Sequence, residues 1–259
     1  MEHRHREVIQ LVRRHEHIHP GGPAETMELW EAMELPMGSR VLDLGAGFGG
    51  PAHWLRGAGA DVLALDLEQA NCLRCRGQNP DLPMPTVRAD ATHLPLADDS
   101  FDGVMAWCML GFVEEQAQLL AEVARVLKPG GRFGVDVYTV RDAALYDPGR
   151  TPMRFIHSRE RWLEIIDASA LTLVAEEDLS DSYADEYRRF MVNLKVQIPS
   201  LRVRFGKQQV ADAVTRFSRN VNEVLFGGKG GLRLVCERGS SAHDQPVEQG
   251  RQPVGGGAA

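Results

Sequence analysis

The chain has 259 residues, 43% of them hydrophobic and 25% charged, with a formal net charge of −7 at pH 7. That is the make-up of an ordinary soluble globular protein, long enough for one substantial core and a small appended lid. The acidic balance offers no global basic field for nucleic acid or an anionic membrane, and no apolar run approaches the roughly 20 residues that cross a bilayer.

The first residues, Met1 to Arg6, are polar and lead into no apolar signal region, which points to the cytoplasm. Residues 1–39 read as a helical cap. His15, His17 and His19 alternate within it and would project imidazoles in one direction. A general base, or a hydrogen-bond donor to a substrate, is one reading; a metal site and an exposed polar helix are the others. No carboxylate cluster accompanies these histidines, so no metal is expected.

Val41-Leu42-Asp43-Leu44 is a short apolar run, as expected of a strand buried on both faces of a parallel sheet. It passes directly into Gly45-Ala46-Gly47-Phe48-Gly49-Gly50, whose glycines permit backbone angles and close approaches that side chains forbid. Pro51 then suits the first turn of a helix. Strand, glycine turn and helix together make a place where a nucleotide-like ligand lies against bare backbone. A dinucleotide fingerprint needs only the glycines and a helix N-terminus facing pyrophosphate. Here Asp43 stands two residues before the first glycine, where it would repel pyrophosphate and suit a cationic group such as an ammonium.

A second strand over 61–66 ends in Asp66, and a helix over 67–77 follows. Asp66 lies about 20 residues past the glycine turn, where an acid accepts the hydroxyls of a ribose. Cys72 and Cys75 fall in that helix as a lone CxxC, with Cys108 and Cys236 far off, and read as small apolar residues rather than as a zinc or redox site. A third strand over 86–90 ends in Asp90, which could accept from an exocyclic amine, and Ala91 beside it offers a backbone N–H to a ring nitrogen.

A fourth strand over 101–107 is followed by a helix over 114–127, with apolar residues at Leu119, Leu120, Val123 and Leu127. Lys128-Pro129-Gly130-Gly131 stops it, and a fifth strand runs over 132–138. Further on come a serine-capped helix over 158–168, a sixth strand over 171–176, a helical stretch over 182–226 broken at Pro199, and a last strand over 231–236 after the turn at 227–230. The alternation predicts an α/β fold: a doubly wound, mostly parallel seven-stranded sheet whose ligand sits at the C-terminal strand ends. Its divisions are the cap (1–39), a core (40–176), a helical lid (177–230), a last core strand (231–238), and a polar, glycine-rich tail (239–259) expected to be disordered. No heptad or exposed strand pattern marks an oligomeric interface.

In these residues the chain resembles the class I S-adenosylmethionine-dependent methyltransferases over essentially its whole ordered length. The matches are Asp43 to Gly49, Asp66, Asp90-Ala91, Asp98-Asp99-Ser100-Phe101-Asp102 before the fourth strand, and Leu127-Lys128-Pro129-Gly130-Gly131 before the fifth. The resemblance implies S-adenosylmethionine as cofactor, held by Ile18, His19, Asp43, Gly45, Ala46, Gly47, Asp66, Leu67, Asp90, Ala91 and Trp107. Gly47-Phe48-Gly49-Gly50-Pro51-Ala52 and Ile18-His19-Pro20-Gly21-Gly22 further resemble the branch that methylates glycine, sarcosine or phosphoethanolamine. Asp178-Leu179-Ser180 resembles the start of that branch's substrate lid. The chain departs from the branch after the fourth strand, where Trp107-Cys108-Met109-Leu110-Gly111-Phe112 carries neither the acid nor the histidine the branch places near its substrate.

The reaction so implied is methyl transfer to a small molecule, an amine first, with oxygen, sulfur or carbon nucleophiles as alternatives. The acidic charge and the lack of an Asn/Asp-Pro-Pro-aromatic motif oppose a nucleic-acid substrate. A noncatalytic cofactor-binding protein is the other alternative. Candidate catalytic residues are His17, His19 and Tyr138. Arg154, Tyr183, Tyr187 and Arg188 are candidates for binding an anionic substrate from the lid.

Overall fold

A computed structural model describes residue 12, residues 19–147, residue 149 and residues 153–239. Helix α1 (Pro23–Ala32) leads into strand β1 (Arg40–Leu44), and α2 (Gly50–Gly57), β2 (Asp61–Asp66), α3 (Gln69–Gly77), β3 (Thr86–Arg88) and β4 (Phe101–Trp107) follow. A short 3-10 turn, Leu110–Phe112, precedes α4 (Gln116–Val126), β5 (Leu127–Val140), α5 (Arg159–Asp167) and β6 (Leu171–Asp178). Two long helices, α6 (Ser180–Phe205) and α7 (Lys207–Leu225), separate β6 from β7 (Lys229–Arg238).

The strands form one seven-stranded sheet in the order β3-β2-β1-β4-β5-β7-β6, all parallel except β7, which runs antiparallel to both neighbours. The order reverses between β1 and β4, which leaves a crevice at their C-terminal ends. Alternation along the strands divides the core between the two faces. Leu42, Leu44, Val104 and Ala106 pack with Leu119, Leu120 and Val123 of α4 on one side. Val41, Met105 and Trp107 pack with Leu29 of α1, Met33 at its C-terminal end and Leu55 of α2 on the other. The doubly wound, mostly parallel sheet read from the sequence is the fold found.

Several boundaries differ from expectation. Strand β5 begins at Leu127, before the Lys-Pro-Gly-Gly stretch and not after it, because Leu127 already pairs with Phe101. Residues 128–131 then bulge before pairing resumes at Arg132 opposite Gly103, with Lys128 held by Asp102. Asp90 lies beyond β3 in the following loop. The lid is not broken at Pro199: α6 runs through it, because Pro199 sits on the exposed face while Leu194 and Leu201 on either side bury in the lid core. The break falls at Gly206, with φ 86°. The last strand begins at Lys229, so the expected turn at 227–230 is partly strand. From residue 240 the expected tail lies outside the described residues.

Two smaller cores hold the lid. Tyr183, Tyr187, Val221 and Val224 pack with Tyr138 and Ile156 beside the sheet. Phe190, Leu194, Leu201, Val210 and Ala213 pack around Val12.

Candidate active site

The turn after β1 is tied to the neighbouring strand by its own backbone. The Gly45 and Ala46 amides both donate to the Leu65 carbonyl, at 2.8 and 2.9 Å, and the Gly47 amide donates to Asp66 Oδ2 at 2.8 Å. Gly45 has φ 78°, and a Cβ there would lie 3.0 Å from the Met109 side chain. Gly49 has φ 85° and rests against Cys75, leaving no space for a Cβ. That contact explains why the helix opposite carries a small residue. Burial pushes the Cys75 thiol up to about 12, so it stays protonated, a packing element as the sequence suggested.

Around this turn lies a cavity of about 360 Å³. It opens at the C-terminal ends of β1, β2, β3, β4 and β5 and runs beneath α6 and α7. Of the residues the sequence singled out, His19, Gly45, Gly47, Asp66, Leu67, Asp90, Ala91, Trp107, Tyr138 and Tyr187 line it. Asp43 and Ala46 do not, and His15, His17 and Ile18 lie outside the described residues.

Asp66 is nearly buried, and its carboxylate is already organised by protein donors. Besides the Gly47 amide, Oδ1 accepts from the Glu68 amide at 2.8 Å and from Asn71 Nδ2 at 3.0 Å. Asp90 accepts from the Thr92 amide and hydroxyl at 2.9 and 2.8 Å, and these bonds hold its carboxyl below the ordinary range. Both carboxyls are thus held as fixed acceptors beside adjacent strand ends.

Asp43 is placed otherwise than expected. Alternation turns it to the side of Val41, under the glycine turn, where it is wholly buried and neither carboxylate oxygen has a hydrogen-bond partner among the described residues. Burial, and after it the Asp66 charge, pushes its carboxyl up to about 8. A group so placed supports the turn from below and is not among the residues that line the cavity.

His19 closes the open side. Its ring stacks on Trp107, with centroids 5.7 Å apart and planes inclined by 21°. Nδ1 lies 2.8 Å from the Pro20 carbonyl, which only accepts, so that nitrogen carries the hydrogen. Nε2 is 3.3 Å from the Thr26 hydroxyl on α1. Both ring nitrogens therefore face protein groups, an arrangement of a wall more than of a poised base.

Past Trp107 the lining changes character. Met109, Phe112, Val113, Met153, Phe190 and Phe217 supply apolar surface, and Tyr138, Tyr187 and Asn220 the main polar groups. The acids of the lining, Asp66, Glu68 and Asp90, all stand on the β2–β3 side. Of the lid candidates only Tyr187 reaches the cavity: Tyr183 is buried against Cys108, Arg188 is exposed and paired with Asp185, and Arg154 is exposed. Asn220, Phe190 and Phe217 were missed in the sequence; helical spacing marks a buried face of the lid but not which part of that face meets a ligand. Among the described residues no group of three or more His, Cys, Asp or Glu is placed to hold a metal.

A methyltransferase domain profile matches residues 42–135, which span β1 to most of β5. A methyltransferase of Streptomyces halstedii, GfsG, is 40% identical over 126 residues, covering 46% of this chain and 45% of that protein. The chain thus spans under half the length of that relative. The phthiotriol/phenolphthiotriol dimycocerosates methyltransferase of Mycobacterium tuberculosis is 32% identical over 204 residues, covering 77% of this chain and 69% of the relative. Among solved structures, the [4+2]-cyclase SpnF superposes with a TM-score of 0.76 over 91% of this chain and 92% of that one, at 24% identity, a likeness of fold. Glycine turn, strand-end acids and this extended similarity together place the chain in the family of class I S-adenosylmethionine-dependent methyltransferases.

Proposed function

We propose that the chain transfers a methyl group from S-adenosylmethionine to a small, largely apolar acceptor that reacts at oxygen or carbon. The observation that carries this reading is the change in lining past Trp107, from fixed carboxylates to apolar and aromatic side chains with phenol and amide groups. An amine acceptor arriving as an ammonium would lose its hydration there without a carboxylate to replace it. The amine expected from the sequence therefore takes second place. The name of the Mycobacterium tuberculosis relative, which refers to phthiotriol and phenolphthiotriol dimycocerosates, also supports an apolar acceptor.

The residues suit the cofactor. Asp66 would accept from the ribose hydroxyls, Asp90 and the Ala91 amide would meet the adenine, and Gly45 leaves bare backbone where a Cβ would collide with Met109. When bound, S-adenosylmethionine supplies an already activated methyl. What remains for the protein is to align the acceptor, exclude water and take up any proton released. His19 and Trp107 wall the shared region, and α6 and α7 cover it. With His19 engaged by Pro20 and Thr26, Tyr138 is the better placed of the described catalytic candidates.

The test is incubation of the full chain with methyl-labelled S-adenosylmethionine and two panels of small molecules. One panel holds apolar phenols, enols and alkenes; the other holds primary and secondary amines. Label is expected in the first panel, and label confined to the amines would overturn the reading. The likeness of fold to a [4+2]-cyclase favours, as a second reading, chemistry without methyl transfer. That reading would be upheld by saturable cofactor binding with no label transferred to either panel.

A further inference from the structure

Helix α6 carries two apolar lines on opposite sides. The inner line holds Tyr187, Phe190, Leu194 and Leu201, which are buried in the lid, and Tyr187 and Phe190 line the cavity. The outer line is Val192, Val196, Pro199 and Val203, all exposed and spaced by four, three and four residues. That spacing stacks them along one side of the helix over about 17 Å, opposite Leu194 and Leu201. Val192 is 62% exposed, Val196 73% and Val203 90%. Lone exposed valines are ordinary on a protein surface, but packing within the lid gives no reason for a row of them opposite its buried face.

Positive charge borders this row. The helical repeat puts Arg188, Lys195 and Arg202 along one edge and Arg189 and Arg204 along the other, and all five are exposed. Between Tyr187 and Ala211 the sequence carries six cations, these five and Lys207, and no acid. Asp185 and Glu186, one turn earlier, pair with Arg188 and Arg189. The chain as a whole carries −7, so the field along α6 is local, on an otherwise acidic protein. An apolar row between lysine and arginine stems matches the interface of an anionic bilayer: the valines enter the acyl boundary while the cations reach back to lipid phosphates. A second copy packed on the same face would set these cations against their own equivalents. Nucleic acid would meet the charges but leave the valines without an apolar counterpart. Among the described residues no helix is long and apolar enough to cross a membrane, so the contact lies along its surface.

We propose that the outer face of α6 docks the chain on an anionic lipid surface, with Val192, Val196 and Val203 in the acyl boundary and Arg188, Lys195 and Arg202 against lipid phosphates. The outside of the lid then meets the membrane while its inside lines the cavity. The surface is carried by the outer face of α6 alone and stands or falls separately from the acceptor reading above.

The test is co-sedimentation of the full chain with vesicles of equal parts phosphatidylglycerol and phosphatidylcholine, compared with vesicles of phosphatidylcholine alone. Binding to the anionic vesicles should be about tenfold tighter or more, and should weaken as salt rises from about 50 to about 500 mM. Lys195→Gln combined with Arg202→Gln should weaken it about tenfold or more, at roughly fivefold per cation. Val192→Ser, Val196→Ser and Val203→Ser together should also weaken it about tenfold or more, an effect a bare charged patch would not show. All five side chains are exposed, and unchanged S-adenosylhomocysteine binding certifies each variant's fold. The charge pair keeps the test usable where the valine set does not fold. No binding to the anionic vesicles, or equal binding to both kinds, would overturn the proposal, and so would binding that the valine set leaves unchanged. A concentration-dependent dimer, seen by ultracentrifugation without vesicles and lost in the valine set, would overturn it too, because a second copy would then cover the row.

Discussion

Asp43 shows how little separates a ligand-facing acid from a supporting one. The acid before the glycine turn was plain in the sequence, but the pleat of β1 turns it under the turn, where it has no hydrogen-bond partner among the described residues. Its carboxyl rises from an ordinary 3.8 to about 8, mainly through burial. A raised carboxyl contributes stability that is fully present below pH 3.8 and is lost as the pH climbs through about 8, because ionisation then competes with burial. Asp43→Asn, neutral throughout, is expected to show a Tm advantage over the parent that widens between pH 4 and pH 9 by roughly 3 °C or more, measured by calorimetry without ligand. A constant gap would mean that Asp43 ionises at no cost. The placement of Asp66 and Asp90 at the cavity was legible because an acid at or just past the end of a parallel strand faces the crevice. Tyr138 stands inside β5, near its C-terminal end, and also lines the cavity.

At the scale of elements, the alternation of strand and helix was readable because strands buried on both faces are short apolar runs and the covering helices repeat at helical spacing. The bulge at residues 128–131 and the continuity of α6 were not. Proline usually ends a helix by removing an N–H and crowding the carbonyl four residues back. In α6 the flanking Leu194 and Leu201 are held in the lid core, and this tertiary packing overrides the local preference at exposed Pro199. Pro199→Ala would restore a hydrogen bond to the Lys195 carbonyl. It should stabilise the chain by about 1–3 kcal/mol, read as a higher urea midpoint with an unchanged slope. A lower midpoint would mean that the proline's bend is needed for the lid to seat.

The whole molecule is joined where cap, sheet and lid meet. Arg233 of β7 is 2% exposed and faces Asp136 of β5 and Glu177 of β6 across the strands, and Glu25 and Glu28 of α1 above them. Burial, partly offset by the guanidinium, pushes Asp136 up to about 7. Glu25 also accepts from Ser182 at the start of α6, so one carboxylate joins core, cap and lid. Thr26, the next residue, contacts the His19 ring that closes the cavity over Trp107. Ser182→Ala removes this cap–lid bond and leaves the charges in place. It should cost about 1 kcal/mol and speed S-adenosylhomocysteine dissociation about fivefold in stopped-flow release. An unchanged release rate would mean that cap and lid open independently.

The sequence by itself determined the half of the cavity beside the glycine turn. A glycine turn and the acids at successive strand ends are local features, and a parallel sheet gives them a single place to converge. Only the tertiary structure decided the half lined by the lid. Tyr138, Tyr187, Phe217 and Asn220 come from a strand and two lid helices, and they meet only because the lid packs on the sheet through its own buried faces. Helical spacing marks such a face as buried, but what it is buried against is settled by long-range packing.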